Sequence, residues 1–194
     1  CNGASFDASH CQQAWRWALD KVVDRNGNTT RYYYDTESNN YGMNDKDTAV
    51  SYIRGGVLNH IDYGLREGVA DPVGRVVFTP ADRCVPGSTC TQDDKNKGNW
   101  PDSDLDNKCV DATCKDRHSP TFWSTKRLSS ITTQVWNGTT YTNVDRWDLE
   151  HAFPDPGDGE KAALWLKGIK HTGLVGGEKT LPDVTFLGAP LDNR

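Results

Sequence analysis

Residues 15–35 read WRWALDKVVDRNGNTTRYYYD and set the expectation for the whole fold. Trp15, Trp17 and Leu19 alternate with polar residues, which is the period of a half-buried strand. Asn26-Gly27 is the strongest short hairpin signal, because both central positions of a type I′ turn need a positive φ. Residues 29–34 then return with β-branched and aromatic side chains. The stretch predicts a β-hairpin with a type I′ turn at Asn26-Gly27.

Composition extends this expectation to the rest of the chain. The 194 residues include 18 Gly, 9 Pro, 7 Trp and 7 Tyr but one Met, so turns are frequent and aromatic side chains supply much of the burial area. Apolar residues keep no helical spacing beyond two turns. A second hairpin is predicted about Asn137-Gly138. We therefore expect a single all-β domain over residues 1–194, with antiparallel hairpins in a curved sheet or a sandwich.

The other segments are assigned by polarity and by turn residues. Residues 1–14 are predicted to be a loop-rich lead-in, and the polar residues 35–49 a long loop. Residues 51–68 are predicted to form two short strands around Gly55-Gly56. Residues 84–120 show no sustained periodicity and are predicted to be an inserted loop held by cysteine bridges and Trp100. Residues 181–188 are the expected edge strand, because Pro182 fits an edge or a strand start.

Charge and hydropathy argue against two classes of partner. The formal net charge is −5, and lysine and arginine form no block longer than a pair. Nucleic-acid binders usually carry a basic stripe that neutralises phosphates, so we expect no nucleic-acid partner. The apolar runs fall far short of the roughly 18 residues that a membrane-spanning helix needs, so we expect no membrane span.

Six cysteines fall into three pairs that are close in sequence. Sequence alone cannot choose among the fifteen pairings that six cysteines allow. Pairing of neighbours is the simplest expectation, because each bridge closes a short loop. Zinc is the alternative, but zinc sites favour narrower cysteine spacing with matching histidines. Disulfides are favoured, and they imply an oxidising compartment. The expected pairs are Cys1 with Cys11, Cys84 with Cys90, and Cys109 with Cys114.

Four segments in order resemble the RHS/YD-repeat proteins of actinobacteria. They are WALDKVVDRNGNTTRYYYD (17–35), YIRGGVLNHIDYG (52–64), VDRWDLEHAF (144–153), and LWLKGIKHTG (164–173) followed by LPDVTF (181–186). A YD repeat joins a Gly-Asn turn to an aromatic strand that ends in Tyr-Asp. Asn26, Gly27, Asn28, Tyr34 and Asp35 resemble that pattern. The layout is also similar to the B component of insecticidal toxin complexes.

The resemblance implies an architectural role and names no catalytic residue or cofactor. In that family a spiral β-sheet forms a hollow shell that encloses or presents a C-terminal effector. We therefore expect this chain to be a secreted shell segment, part of a larger RHS polypeptide. Its expected partners are the remainder of that polypeptide or its effector segment. The repeats are too few to close a shell, and the self-cleaving core motif is absent from the sequence.

Three other functions remain open at this stage. Exposed Tyr32, Tyr34 and Trp136 are candidate ligand-binding aromatics for a carbohydrate-binding module, although such residues usually pack in cross-strand pairs. A Ca²⁺ site is a further candidate, although the spacing of its acidic residues departs from the EF-hand pattern. A secreted hydrolase that uses a carboxylate pair such as Asp155 and Asp158 is the third. The candidate Ca²⁺ ligands are Asp155, Asp158 and Glu160.

Overall fold

The chain forms one open antiparallel sheet with a long insertion between its fourth and fifth strands. The computed structural model describes residues 3–66, 68–69 and 71–189, without the side chain of residue 7. Those residues contain nine strands and four short 3-10 helices, and no α-helix. The strands are β1 (Lys21–Val23), β2 (Thr29–Gly42), β3 (Ala49–Leu65), β4 (Gly74–Asp82), β5 (Lys126–Trp136), β6 (Tyr141–Ala152), β7 (Trp165–Gly173), β8 (Lys179–Thr180) and β9 (Val184–Thr185). The 3-10 helices are Phe6–Ala8, Met43–Asp45, Lys97–Asn99 and Leu105–Asn107.

The strands follow one another across the sheet in chain order. The order runs from β1 to β8, and β9 also pairs with β7. Every pairing is antiparallel. The sheet is curved and does not close on itself, so β1 lies at one edge and β8 with β9 at the other. The predicted all-β fold of antiparallel hairpins in a curved sheet is confirmed. In the described part of the chain, no helix is both long and apolar enough to cross a membrane.

The two predicted hairpins form, but the first differs from the expected one in its first strand and in its turn. Trp15, Trp17 and Leu19 precede β1 and are 46–88% exposed, so the predicted half-buried strand over these residues was wrong. Asp24 N donates to Asn28 O and Gly27 N donates to Asp24 O. Among the described residues φ is positive at Gly27, at 79°, and not at Asn26. This is a type I turn followed by a left-handed glycine, so the predicted type I′ turn was wrong. Hydrogen bonds from the Asn28 side chain and backbone stabilise the Asp24 carboxylate and lower its pKa.

The second hairpin turns on two residues. Asn137 N donates to Thr140 O, and Gly138 has a φ of 96°. Glycine at the first central position is the mark of a type II′ turn. The Asn137 carboxamide oxygen also accepts the N–H groups of Thr139 and Thr140. The predicted hairpin is therefore confirmed, with Gly138 and Thr139 at its centre.

Two segments are longer strands than the sequence indicated. Residues 35–42, within the predicted loop 35–49, continue β2. Residues 51–68 were predicted as two strands, but the single strand β3 runs from Ala49 to Leu65. The glycines in β3 mark close backbone approaches and not a turn. A Cβ on Gly55 would lie 3.2 Å from the carbonyl oxygen of Trp123. A Cβ on Gly56 would lie 3.0 Å from the carbonyl oxygen of Asp35.

The two faces of the sheet differ in polarity, as the strand register shows. Residues directly opposite each other in a ladder share a face. One row runs through Tyr32, Ile61 and Val76, and the parallel row through Phe78, Ile131, Trp147 and His171 is also largely apolar. The opposite face carries Arg31, Tyr33, His60, Asp62 and Arg75. We call these the apolar face and the polar face.

The insertion holds the buried apolar side chains of the described residues. Cys84, Trp100, Cys109 and Cys114 are at most 5% exposed. Cys84 bonds to Cys90 and Cys109 to Cys114, each with Cα atoms 5.7 Å apart, which confirms two of the predicted bridges and the stapled insertion. The predicted pairing of Cys1 with Cys11 lies outside the described residues, because Cys1 does. Such bridges indicate an oxidising environment.

A buried polar network fastens the insertion to β2 and β3. The Arg54 guanidinium lies 3.1 Å from the Glu37 carboxylate and donates to the carbonyl oxygen of Trp123. Glu37 accepts from the backbone N–H of Thr125 and from the Ser124 hydroxyl. Burial alone would raise the pKa of Glu37, but these hydrogen bonds and the charge of Arg54 together lower it. The polar sequence of 35–42 is thus explained by its polar partners in the insertion.

Candidate functional site

The polar face of the central strands brings together the best-organised group of charged and aromatic side chains. Tyr33 of β2 lies directly opposite His60 of β3, and Asp62 lies opposite Arg75 of β4. The alternation of β5 places Trp136 on the same face, where it contacts Tyr141 of β6. The antiparallel ladder therefore aligns side chains of five strands in one row. We call this set the aromatic row: Tyr33, His60, Asp62, Arg75, Trp136 and Tyr141.

A buried ion pair anchors the centre of the aromatic row. Asp62 is 4% exposed, and its two carboxylate oxygens accept from Arg75 Nε at 2.6 Å and Arg75 Nη2 at 3.0 Å. Paired hydrogen bonds of this kind fix orientation as well as charge. Hydrogen bonding to Asp62 raises the pKa of Arg75. The pair holds the guanidinium plane in a defined position on the sheet.

His60 is held neutral beside this ion pair. Burial lowers its pKa below the ordinary value of 6.5, and the positive charge of Arg75 lowers it further. Its Nδ1 lies 2.7 Å from the Asn59 carboxamide oxygen, and the Asn59 amide group donates to Asp35. This arrangement assigns the proton to Nδ1, because the carboxamide oxygen can only accept. The imidazole ring stacks on Tyr33, with ring centroids 4.2 Å apart and planes 11° apart.

The other end of the aromatic row is built on Tyr141. The Arg75 guanidinium carbon lies 4.3 Å from the centre of the Tyr141 ring, which is cation–π geometry. The Tyr141 hydroxyl donates to the carbonyl oxygen of Pro72 at 3.2 Å. Burial raises the pKa of Tyr141. The Trp136 ring lies 5.0 Å from that of Tyr141, so flat groups continue towards the second hairpin.

This geometry suits binding better than catalysis. Both Asp62 oxygens are committed to Arg75, and His60 Nε2 lies 3.8 Å from Asp62, beyond hydrogen-bond distance. The imidazole therefore lacks the oriented carboxylate partner that a catalytic triad uses. Stacked rings and a fixed guanidinium present flat surfaces and hydrogen-bond donors. Tyr33 is 37% exposed, which leaves part of its ring open to a ligand.

The candidate ligand-binding aromatics divide between the two faces. Trp136 belongs to the aromatic row, whereas Tyr32 and Tyr34 alternate with Tyr33 and lie on the opposite face. The Tyr34 hydroxyl donates to the carbonyl oxygen of Leu19 at 3.0 Å, which fastens the residues just before β1 to β2. The structure therefore does not bring these three side chains together, and their ligand-binding role stays a prediction.

The candidate Ca²⁺ ligands lie in an exposed turn between β6 and β7. Asp155 accepts the backbone N–H of Gly157, and Asp158 accepts that of Glu160. These are the local hydrogen bonds of Asx turns. Within the described ranges, no group of three or more His, Cys, Asp or Glu side chains is arranged to hold a metal ion. The role of Asp155 or Asp158 in a hydrolase stays a prediction.

Sequence reasoning missed most of the aromatic row. Asp62 and Arg75 are 13 residues apart, and only the register of β3 with β4 makes them partners. Tyr141 and Arg75 are further apart still and meet across β5. No local pattern marks such pairs, because they depend on which strands are neighbours. The usable signal in the sequence was strand alternation, which places the Tyr33 side chain on the opposite face of β2 from Tyr32 and Tyr34.

Comparison of the chain with protein-family models, with curated proteins and with solved structures finds no match. The comparisons therefore add no family to what the structure shows, which is a curved open antiparallel sheet with a disulfide-stapled insertion and a polar face that carries the aromatic row.

Proposed function

We propose that this chain is a wall segment of a secreted RHS/YD-type shell that encloses or presents an effector. The observation that carries the proposal is the open sheet itself. Among the described residues its first eight strands follow in chain order, β9 pairs with β7, and no further strand covers either edge. Such a sheet is a unit that can be continued by further hairpins on either side. The sequence resemblance of the four ordered segments supports the choice of family.

The distribution of apolar side chains supports this role. A self-contained domain buries its apolar surface between two layers. Here Val22, Val23, Ile53 and Val184 on the strands are each more than 40% exposed. Large exposed apolar surfaces usually mark interaction sites. In a shell, the neighbouring strands and the enclosed segment would cover them.

The two edges offer backbone groups to neighbours. β1 has three residues and pairs only with β2, whereas β8 and β9 have two residues each and pair with β7. Unpaired strand edges attract further strands. Pro182 lies between β8 and β9 in the predicted edge segment 181–188. Proline is tolerated at an edge because it has no backbone N–H to donate to a neighbouring strand. In the proposed shell, both edges are continued by strands of the parent polypeptide.

The direct test is the architecture of the parent polypeptide. We expect its gene to encode further Tyr-Asp strands next to this segment, and electron microscopy of the purified product to show a hollow shell with residues 17–186 in its wall. Absence of further Tyr-Asp strands, or a compact particle without an internal cavity, would contradict the proposal.

A surface variant of the isolated chain tests whether the edge strand mediates self-association. Weak concentration-dependent association is expected through residues 181–188. Val184 is 55% exposed, so Val184→Lys should reduce association, measured by analytical ultracentrifugation, without unfolding the sheet. The matched control is Val175→Lys in the preceding turn, where the side chain is 69% exposed and off the edge. Strictly monomeric behaviour of the unmodified chain at high concentration counts against edge pairing.

Carbohydrate binding is a second candidate function, favoured by the aromatic row. The Tyr33–His60 stack, the Arg75–Tyr141 contact and Trp136 form flat surfaces with adjacent donors, as sugar rings require. A glycan array tests it, followed by Trp136→Ala with Trp17→Ala as the control. Trp17 is 88% exposed and precedes β1, outside the aromatic row. Binding that both substitutions weaken equally would exclude the aromatic row as its site.

A further inference from the structure

A groove at one end of the polar face is distinct from the aromatic row. It lies between the first hairpin and the residues that follow β3, and its volume is about 420 Å³. Pockets for small ligands have volumes of roughly 300–1,000 Å³. The lining combines three cations with three aliphatic side chains: Lys21, Arg31, Arg66, Val23, Leu65 and Val69.

The cations of the groove are placed against electrostatic preference. Lys21 and Arg31 are directly opposite each other in the β1–β2 ladder, and like charges in that position repel. In the part of the chain that the structure describes, neither side chain has an ion pair or a hydrogen bond. A bound anion would remove this repulsion. Arg31 also lies opposite Asp62 in the β2–β3 ladder, but both oxygens of that carboxylate accept from Arg75. Two neighbouring cations without an ion pair of their own are therefore the feature that points to a ligand.

Arg66 adds a third positive group whose orientation is fixed. Its Nε donates to the Asn28 carboxamide oxygen at 2.7 Å, which ties it to the first turn. Asn28 is itself held by Asp24, since its side-chain amide donates to that carboxylate at 2.7 Å. The turn thus positions Arg66 beside the groove. The remaining N–H groups of a guanidinium suit a planar or tetrahedral oxyanion.

The aliphatic side chains add a surface that suits a carbon ring. Val23 is 54% exposed and Val69 is 47% exposed. Apolar walls with a few placed polar groups are the usual composition of a small-molecule site. A free inorganic ion would use the cations alone and leave this apolar surface in water. The combination fits a ring that carries an oxyanion.

We propose that this groove binds an anionic saccharide, a sugar ring that bears a sulfate or a carboxylate group. The oxyanion lies between Lys21 and Arg31 and within reach of Arg66, and the ring lies against Val23 and Leu65. Arg31 and Tyr33 share a face of β2, so a longer anionic oligosaccharide reaches the Tyr33 ring next. The site is independent of the shell proposal, because it lies within one hairpin and the end of β3.

Titration calorimetry of the chain tests the site with four probes: glucose 6-sulfate, glucuronate, glucose and inorganic sulfate. We expect the two charged sugars to bind, with affinity that falls as salt concentration rises. Comparison of the two identifies the oxyanion that the groove prefers. Glucose and inorganic sulfate should each bind at least tenfold more weakly than the better charged sugar.

Charge-removing variants locate the site. Arg31→Gln should weaken binding at least tenfold. Arg25→Gln, which removes the same charge from an exposed position in the same hairpin, should leave affinity within twofold. Lys21→Glu should abolish binding while leaving the melting temperature unchanged or higher, because it replaces a like-charge pair by an opposite pair. This last result would separate a ligand-binding lysine from a structural one.

Any of four outcomes would overturn the proposal. The first is no heat and no thermal shift with either charged sugar at millimolar concentration. The second is equal affinity for inorganic sulfate and glucose 6-sulfate, which removes the role of the ring. The third is an equal loss of affinity with Arg25→Gln and Arg31→Gln when circular dichroism shows both variants folded. The fourth is a Lys21→Glu variant that binds the charged sugars as tightly as the unmodified chain does.

Discussion

The insertion and the sheet of this protein are stabilised in opposite ways. The insertion has little regular structure but contains the most deeply buried apolar groups, with Trp100 2% exposed and Cys114 fully buried. The sheet has long regular ladders, yet its strands keep side chains such as Val22 and Ile53 about half exposed. Regular secondary structure and a hydrophobic core are thus separated in this chain.

Backbone pairing defines the shape of the sheet, where burial of side chains does not. Each ladder contributes hydrogen bonds and cross-strand contacts, whose individual net contributions are small, roughly 0.2–1 kcal/mol for a side-chain pair. The insertion adds a compact cluster that fastens β2 and β3 through the Glu37–Arg54 network. In the proposed shell, neighbouring strands would cover the faces and edges of such a sheet.

Trp100 gives the largest expected effect. Trp100→Ala should lower the free energy of unfolding by about 3–5 kcal/mol, because it leaves a cavity in the cluster of the insertion. The control is Trp17→Ala, which should change it by less than about 0.5 kcal/mol because Trp17 is 88% exposed. Trp100→Phe should cost less than the alanine change, since the buried indole Nε1 has no hydrogen-bond partner among the described residues. Urea unfolding measures all three, and equal losses at 100 and 17 would refute the assigned core.

The bridge between Cys109 and Cys114 gives the next largest effect. Replacing both cysteines by serine should cost about 2 kcal/mol by loop entropy alone, with a further loss because Cys114 is fully buried. The double serine variant at Cys84 and Cys90 is the comparison, because Cys90 is only partly buried and its loss should be smaller. A larger loss at Cys84 and Cys90 would place the core at the other end of the insertion.

The pH dependence separates the polar face of the sheet, where His60 titrates, from the junction of β2 with the insertion, where Glu37 titrates. Folding lowers the pKa of His60, so this residue binds a proton more readily in the unfolded chain than in the folded one. The contribution of His60 to the free energy of unfolding is therefore present above about pH 6.5 and is lost as the pH falls below that value. The pKa of Glu37 is also lowered, so its contribution is present above pH 4.5 and lost below it. Burial also lowers the pKa of His151, so we expect His60→Phe to reduce the first decline without abolishing it, and to leave the second. Unfolding curves from pH 8 to pH 3 would show this, and an unchanged decline near pH 6 in His60→Phe would contradict it.

The parts of the fold that sequence predicted are those encoded locally. The alternation of residues 29–34, the turn signals at 26–27 and 137–138, and the cysteine spacing at 84–114 lie within short windows. The all-β class, both hairpins and the stapled insertion followed from them. The predicted turn type at Asn26-Gly27 was wrong because the hairpin loop has three residues, 25–27, and not two. Asp24 and Asn28 are the residues that close this loop.

The parts that sequence could not predict depend on distant partners. Residues 35–42 are polar and were expected to be loop, but Asn39 is 5% exposed because its carboxamide accepts Cys109 N and donates to the carbonyl oxygen of Asn107. Gly55 and Gly56 predict a break between two strands, but they allow close backbone contact within a continuous strand. The aromatic row has the same origin, since Asp62, Arg75 and Tyr141 meet only through strand order.

Hydrogen exchange measured by mass spectrometry tests most directly the claim that this sheet is an open segment completed by neighbours. The amides of β1 and of residues 179–187 should exchange fast in the isolated chain and slowly when the same segment is part of the parent polypeptide. The amides of β5 and β6 should exchange slowly in both, because both strands are paired on each side. Edge amides that are equally protected in the isolated chain, or equally unprotected in the parent, would contradict the claim.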